Sequence, residues 1–291
     1  MKLSPLIIGT MRLGTWGAKL SSKELESFID ACLYLDLHDF DHADIYGDYT
    51  EESHFGEVIK RRPELKNRIQ ITTKCGIRMI SPNRPDHKIK SYDSTKAHII
   101  QSAENSVKDL AIDKIDLLLL HRPDYLMHPE DVAEAFEDLK KRGLVLNFGV
   151  SNYSASQVNL LKQYTELSAH QLEISLLQRK ALDDGTLDQC IQTGIKACAW
   201  SPFGGGAIFK ESYDKVITRV KLACEQLSYK YNCSIDQLLL AWILKHPAGI
   251  IPVLGSSKIE RIKAAKSALD IKLDREDWYA MLEAATGYEV A

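Results

Sequence analysis

The chain has 291 residues, and 37 Lys and Arg against 40 Asp and Glu leave a formal net charge of −3. That balance excludes a polybasic surface for nucleic acid or anionic lipid. With 45% hydrophobic and 26% charged residues, a disordered chain is excluded too. The six cysteines contain no C-x-x-C, so neither a zinc site nor a disulfide scaffold is expected, and no metal is assigned.

Short apolar runs alternate with amphipathic ones from the start of the chain. Residues 7–10 read as a strand. Ser21 and Glu24 then form a capping box before Leu25, Phe28, Ile29, Cys32 and Leu33 at helical spacing. Strands at 39–43 and 69–75 flank a helix at 51–60. Ser94 is placed as the cap of a helix reaching about Leu110. The continuous apolar run 115–121 suits a strand buried on both faces. Pro129 opens a helix that Gly143 stops. Strands at 145–151, 169–175 and 195–200 then alternate with helices at 154–164 and 186–193. A loop at 201–209 leads to helices at 213–231 and 234–245, a strand at 250–254, and helices at 258–268 and 274–285.

These elements make eight strand–helix units, with one extra helix before the seventh barrel helix and one at the end. The expected fold is α/β, a (β/α)8 TIM barrel in one domain over residues 1–291. A doubly wound sheet would require a Gly-rich turn after an early strand, and no G-x-G-x-x-G occurs. The first 13 residues offer no signal-peptide core, and the longest apolar run, 238–244, is far short of a membrane span. A cytoplasmic enzyme with neither membrane nor nucleic-acid partner is therefore expected.

Barrel chemistry sits at the C-terminal ends of the strands. Those ends carry Asp41, Tyr46, Lys74, His121, Ser151, Asn152, Gln171, Trp200 and the Gly255-Ser256-Ser257 turn. Alone, each has an ordinary structural reading: a solvated lysine, a core histidine, a rim aromatic. It is their joint placement at one mouth that points to chemistry.

In order along the chain, Phe40-Asp41-His42-Ala43-Asp44-Ile45-Tyr46-Gly47 with Glu52 and Gly56, then Thr72-Thr73-Lys74, resemble segments of the aldo/keto reductase family. So do Leu119-Leu120-His121-Arg122-Pro123-Asp124, Gly149 to Tyr153, Gln171-Leu172-Glu173, Trp200-Ser201-Pro202 and the stretch from Ile251 to Ile262. The resemblance spans nearly the whole chain and is nearest to a bacterial oxidoreductase branch. It implies hydride transfer from NADPH to a small aldehyde or ketone, by a monomer. Tyr46 would be the proton donor, Lys74 and Asp41 would lower its pKa from the ordinary ~10, and His121 would position the substrate oxygen. Ser151, Asn152 and Gln171 would hold the nicotinamide amide and Trp200 would stack on its ring. Ser201, Phe203, Gly204, Gly255, Ser256, Ser257, Lys258 and Arg261 would complete the NADPH/NADP+ site, with Arg261 on the 2′-phosphate.

The chain also departs from the family pattern. Ala264 and Ala265 replace a Glu-Asn pair that contacts adenine, Met11 replaces a pocket Trp, and His42 replaces a small residue and reads as a buried structural histidine. Trp16, Arg12, Tyr49 and Tyr125 are expected around an open, permissive pocket without a long C-terminal lid. Competing readings are a metal-dependent hydrolase using His42, Asp44, Lys74 and His121, a Schiff-base aldolase at Lys74, and an NADP(H)-binding redox sensor or partner-binding protein with little turnover.

Overall fold

Eight parallel strands close into a barrel in the computed structural model, which describes residues Met1–Ala291. They are β1 (Ile7–Gly9), β2 (Asp39–Asp41), β3 (Gln70–Cys75), β4 (Ile115–Leu120), β5 (Val145–Ser151), β6 (Ala169–Glu173), β7 (Lys196–Trp200) and β8 (Ile251–Leu254). Each pairs with its neighbour in sequence, and β1 pairs with both β2 and β8 to close the ring. The helices around it are α1 (Ser22–Tyr34), α2 (Glu51–Arg61), α3 (Lys96–Asp109), α4 (Pro129–Lys141), α5 (Ala155–Leu161) and α6 (Thr186–Thr193). They continue with α7 (Lys215–Tyr231), α8 (Ile235–Leu244), α9 (Ile259–Ser267) and α10 (Arg275–Thr286). This is the (β/α)8 architecture with two added helices that the alternating pattern implies.

Local chemistry accounts for most boundaries. Ser21 caps α1 and receives Glu24 in return, as the motif predicts. The cap of α3 is Thr95 rather than Ser94, because Ser94 gives both its N–H and its hydroxyl to Asp124. α5 ends at Leu161, short of the expected Tyr164, and α7 begins at Lys215 behind an Asp214 cap. The 201–209 loop contains a 3-10 turn, Gly204–Phe209. A small hairpin of Ile77–Arg78 with Ser91–Tyr92, which is too short to leave a period-2 signal, follows β3.

A core of 60 buried residues fills the space between strands and helices. The terminal helix is tied down by Trp242 and Trp278. Their rings stack 4.9 Å apart, and each indole N–H donates to the other residue's carbonyl, at 3.1 and 2.9 Å. Gly56 is required on α2, since a Cβ there would lie 2.0 Å from the Asp109 carbonyl at the end of α3. No helix is long and apolar enough to cross a membrane.

Candidate active site

Parallel register sets the mouth. Gly9 pairs with Asp41 and Asp41 with Thr72, so the ends of β1, β2 and β3 lie side by side. Lys74 points inward from β3 and is 1% exposed. Its ammonium donates three hydrogen bonds: to Asp41 Oδ2 at 2.7 Å, to the His42 carbonyl at 2.8 Å and to the Tyr46 hydroxyl at 3.2 Å. Asp41 is equally engaged, because Gln171 Nε2 crosses the barrel to donate to its Oδ1 at 3.0 Å. Burial alone would push the Lys74 ammonium toward losing its proton. The charges and hydrogen bonds of Asp41 and Tyr46 outweigh that and raise its pKa.

Tyr46 is held by the turn that follows it. Gly47, Asp48 and Tyr49 all have left-handed φ, 59°, 60° and 67°, a strained run for two non-glycine residues. The turn is fixed from outside: Trp16 Nε1 donates to Asp48 Oδ2 at 3.0 Å, and Asn83 Nδ2 donates to the Asp48 carbonyl at 2.8 Å. Tyr49 accepts the Met79 N–H at 2.8 Å. Tyr49 thus anchors the turn rather than lining the opening, while Tyr125 is 92% exposed and Trp16 sits 6.3 Å from the Tyr46 ring.

The expected lowering of the Tyr46 pKa is not found. Burial raises the phenol above its ordinary value and outweighs the pull of Lys74, whose charge is already offset by Asp41. Tyr46 is therefore a protonated phenol at neutral pH. His121 presents its ring edge-on to Tyr46, with centroids 6.1 Å apart at 78°. Burial first, then the charges of Lys74 and Arg122, hold its pKa well below the ordinary histidine value, so the imidazole is neutral. Its Nδ1 has no hydrogen-bond partner.

The opposite arc carries the amide-binding candidates. Asn152, at φ 62°, donates from Nδ2 to Ser151 Oγ at 2.7 Å and to the His121 carbonyl at 3.3 Å. Its Oδ1 accepts the Trp200 indole N–H at 3.0 Å. These bonds join β5, β7 and the end of β4 into one floor. Ser201 is half-buried, Phe203 packs edge-on against Phe209, and Gly204 opens the 3-10 turn. After β8, Gly255 is exposed, and Ser256 Oγ accepts the Lys258 N–H at 3.1 Å. Ser257 is half-buried, and Lys258 and Arg261 reach solvent at the start of α9 without ion pairs.

The structure therefore brings Asp41, Tyr46, Lys74, His121 and Gln171 together, with Ser151, Asn152 and Trp200 alongside, and sets Gly255 to Arg261 apart on an open rim. These residues suit a nicotinamide dinucleotide phosphate: aromatic and amide groups lie beside the phenol. Two unpaired cations, Lys258 and Arg261, and a helix start follow β8, and a Cβ at Gly255 would meet open space. Ala265 is buried in the core and so is not available to an adenine. No group of three or more His, Cys, Asp or Glu is placed to hold a metal.

Sequence reasoning did not find the Gln171–Asp41 bond, which joins elements 130 residues apart. Glu52, part of the resembling segment, has a structural place. The carboxylate lies under β3, accepting hydroxyls from Thr73 at 2.5 Å and Ser106 at 2.9 Å, and burial raises its pKa to about 7. His42 is fully buried and edge-on to Phe55, and burial lowers its pKa to about 3. Its Nδ1 meets Thr10 Oγ1 at 3.0 Å.

Comparison with known proteins establishes the family. The family model described as Aldo/keto reductase family fits residues 5–285, and the chain belongs to that family of oxidoreductases. It is 43% identical to the uncharacterized oxidoreductase YcsN of Bacillus subtilis, covering all of this chain and 97% of that one. It is 41% identical to the oxidoreductase YdhF of Escherichia coli, over 99% and 96% of the two chains. A 6-dehydroglucose reductase of Agrobacterium fabrum is 36% identical over 100% and 97%. The crystal structure of the thermostable aldo-keto reductase Tm1743 with the inhibitor epalrestat superposes with a TM-score of 0.80. At 22% identity over 97% and 95% of the two chains, it supports the fold.

Proposed function

We propose that the protein reduces an aldehyde or ketone to the alcohol at the expense of NADPH, with Tyr46 as proton donor. The observation that carries this reading is the Lys74 ammonium, bonded at once to Asp41 and to the Tyr46 hydroxyl inside the barrel mouth. When bound, NADPH supplies the hydride to the carbonyl carbon and leaves as NADP+. The carbonyl oxygen then gains negative charge and requires a proton. The raised pKa of Tyr46 keeps that proton available at neutral pH, and Lys74 stabilises the phenolate left behind, which solvent reprotonates. His121, neutral and edge-on to Tyr46, donates to the substrate oxygen and fixes its place. Asp41 keeps Lys74 charged, and Gln171 keeps Asp41 oriented.

Ser151, Asn152 and Trp200 would hold the nicotinamide end of the cofactor, and Ser256, Ser257, Lys258 and Arg261 its phosphate end. Asn152 turns both ends of its amide to protein partners, which favours an immobile floor beneath the ring over a flexible clamp. Titration with NADPH and NADH, followed by NADPH oxidation with a carbonyl panel, tests the reading. Tight NADPH binding with turnover is expected. Binding without turnover of any carbonyl would favour a sensor, and no binding would remove the reading.

A further inference from the structure

Arg122 follows His121 at the end of β4 and makes no hydrogen bond or ion pair within the protein. Arg62, Arg78 and Arg142 hold carboxylates, and Arg84, Arg179 and Arg219 donate to backbone carbonyls. Arg122 does neither; its guanidinium carbon lies 5.5 Å from the centre of the Trp200 ring. The nearby carboxylate of Asp124 is turned away, accepting from Ser94 N and Oγ and from Leu126 N, all at 2.9 Å. Stacking on an aromatic face orients a guanidinium while leaving its fork of N–H donors free for a planar anion.

We propose that Arg122 selects carbonyl substrates that carry a carboxylate or phosphate a few carbon atoms from the reacting carbonyl. This deepens the reductase reading and rests on it. Arg122 follows His121 directly at the end of β4, so a substrate whose carbonyl oxygen met His121 would reach it by extending its acidic group toward β4. The cofactor's own phosphates would have separate cations, Lys258 at the cap of α9 and Arg261 in its first turn.

The test compares an acid with its amide, which has the same shape without the charge. The probes are succinic semialdehyde and its amide, and terephthalaldehydic acid and its amide. In at least one pair, kcat/KM for the acid is expected to exceed that for the amide by tenfold or more. Arg122→Gln should lower kcat/KM for that acid by roughly tenfold to a hundredfold, the range of one charge-assisted bond. The amide should lose at least fivefold less. Arg122→Lys should restore part of the preference, and NADPH affinity by fluorescence should hold within about twofold in both variants. Amides equal to or better than acids in the wild type would overturn the proposal, as would equal losses for both substrates. A variant that lost NADPH affinity instead would place Arg122 at the cofactor. Turnover of other neutral aldehydes with none of the four probes would overturn the anion proposal alone, whereas failure to bind NADPH would remove the reductase reading beneath it.

Discussion

The two sides of the barrel mouth are built in opposite ways. At β2 and β3, Lys74 and Asp41 are 1% and 2% exposed, and each of their polar groups already has a protein partner. At β8 and α9, Lys258 and Arg261 stand in solvent with no carboxylate against them. A buried charge network is assembled by folding and has its geometry before any ligand arrives; an exposed cation gains its geometry from the ligand. Proton transfer depends on the first arrangement, since a displaced donor loses rate steeply. Phosphate recognition tolerates the second, since charge attraction falls off gently with distance.

The largest expected effect would break this contrast if it failed. Lys74→Met leaves the Asp41 carboxylate buried with only Gln171 beside it. An uncompensated buried charge costs about 3–5 kcal/mol. Urea denaturation should show a loss of that order, while Arg261→Ala should change stability by no more than about 0.5 kcal/mol. Adding Asp41→Asn to Lys74→Met should recover part of the loss, because the orphaned charge is then gone. Equal stability of the two single variants would mean that the buried network does not hold the mouth together.

Tyr46→Phe sharpens the contrast from the side of chemistry. Carbonyl reduction should fall at least a hundredfold, the lower range for removal of a general acid, and NADPH affinity should be unchanged. The pH profile gives an independent check. Burial raises the Tyr46 pKa, so the phenol stays protonated through neutral pH. The reduction rate should be flat there and should decline only in the alkaline range, as Tyr46 ionises. A decline beginning near neutrality would show that Lys74 outweighs burial after all. On the open side, Arg261→Ala should weaken NADPH by roughly tenfold, as expected for one charge-assisted phosphate contact, and NADH far less. Equal losses for both would remove Arg261 from the 2′-phosphate.

The order of strands and helices was legible because period and punctuation are local properties. The same holds for the strand-end residues, whose position follows from the barrel once the strands are placed. What stayed hidden depends on packing. Gln171 bonds Asp41 only because β6 faces β2 across a closed barrel, and no spacing in the chain encodes that distance. The Tyr46 shift runs opposite to the expected direction for a related reason. A lysine beside a phenol was visible in sequence, but the depth at which the pair is buried was not. Tyr49 is expected at the opening, but its direction depends on the loop that carries it. The three left-handed residues of the turn direct its hydroxyl back to Met79.

A milder effect, on stability alone, concerns Glu52, which lies beneath β3. Burial raises its pKa from the ordinary 4.5 to about 7, against the hydrogen bonds from Thr73 and Ser106. The folded state therefore binds the Glu52 proton more tightly than the unfolded chain does. Below about pH 4.5 the group is protonated in both states and contributes nothing. Between about 4.5 and 7 the folded state alone holds the proton, and stability is lost steadily as the pH rises; above 7 the full penalty is present. The buried histidines act at the other end. His42 and His170 are held to about 3 and 4, so their stabilisation is present above the ordinary 6.5 and is lost as pH falls. Glu52→Gln separates the two, because it leaves the histidines in place. It removes the ionisable group while keeping an acceptor for Thr73 and a donor that Ser106 can accept. The variant should match the wild type at pH 4.5 and exceed it at pH 8 by about 1–3 kcal/mol in urea unfolding. A constant difference at both pH values would mean that the carboxylate stays ionised, or stays hydrated, in the folded protein.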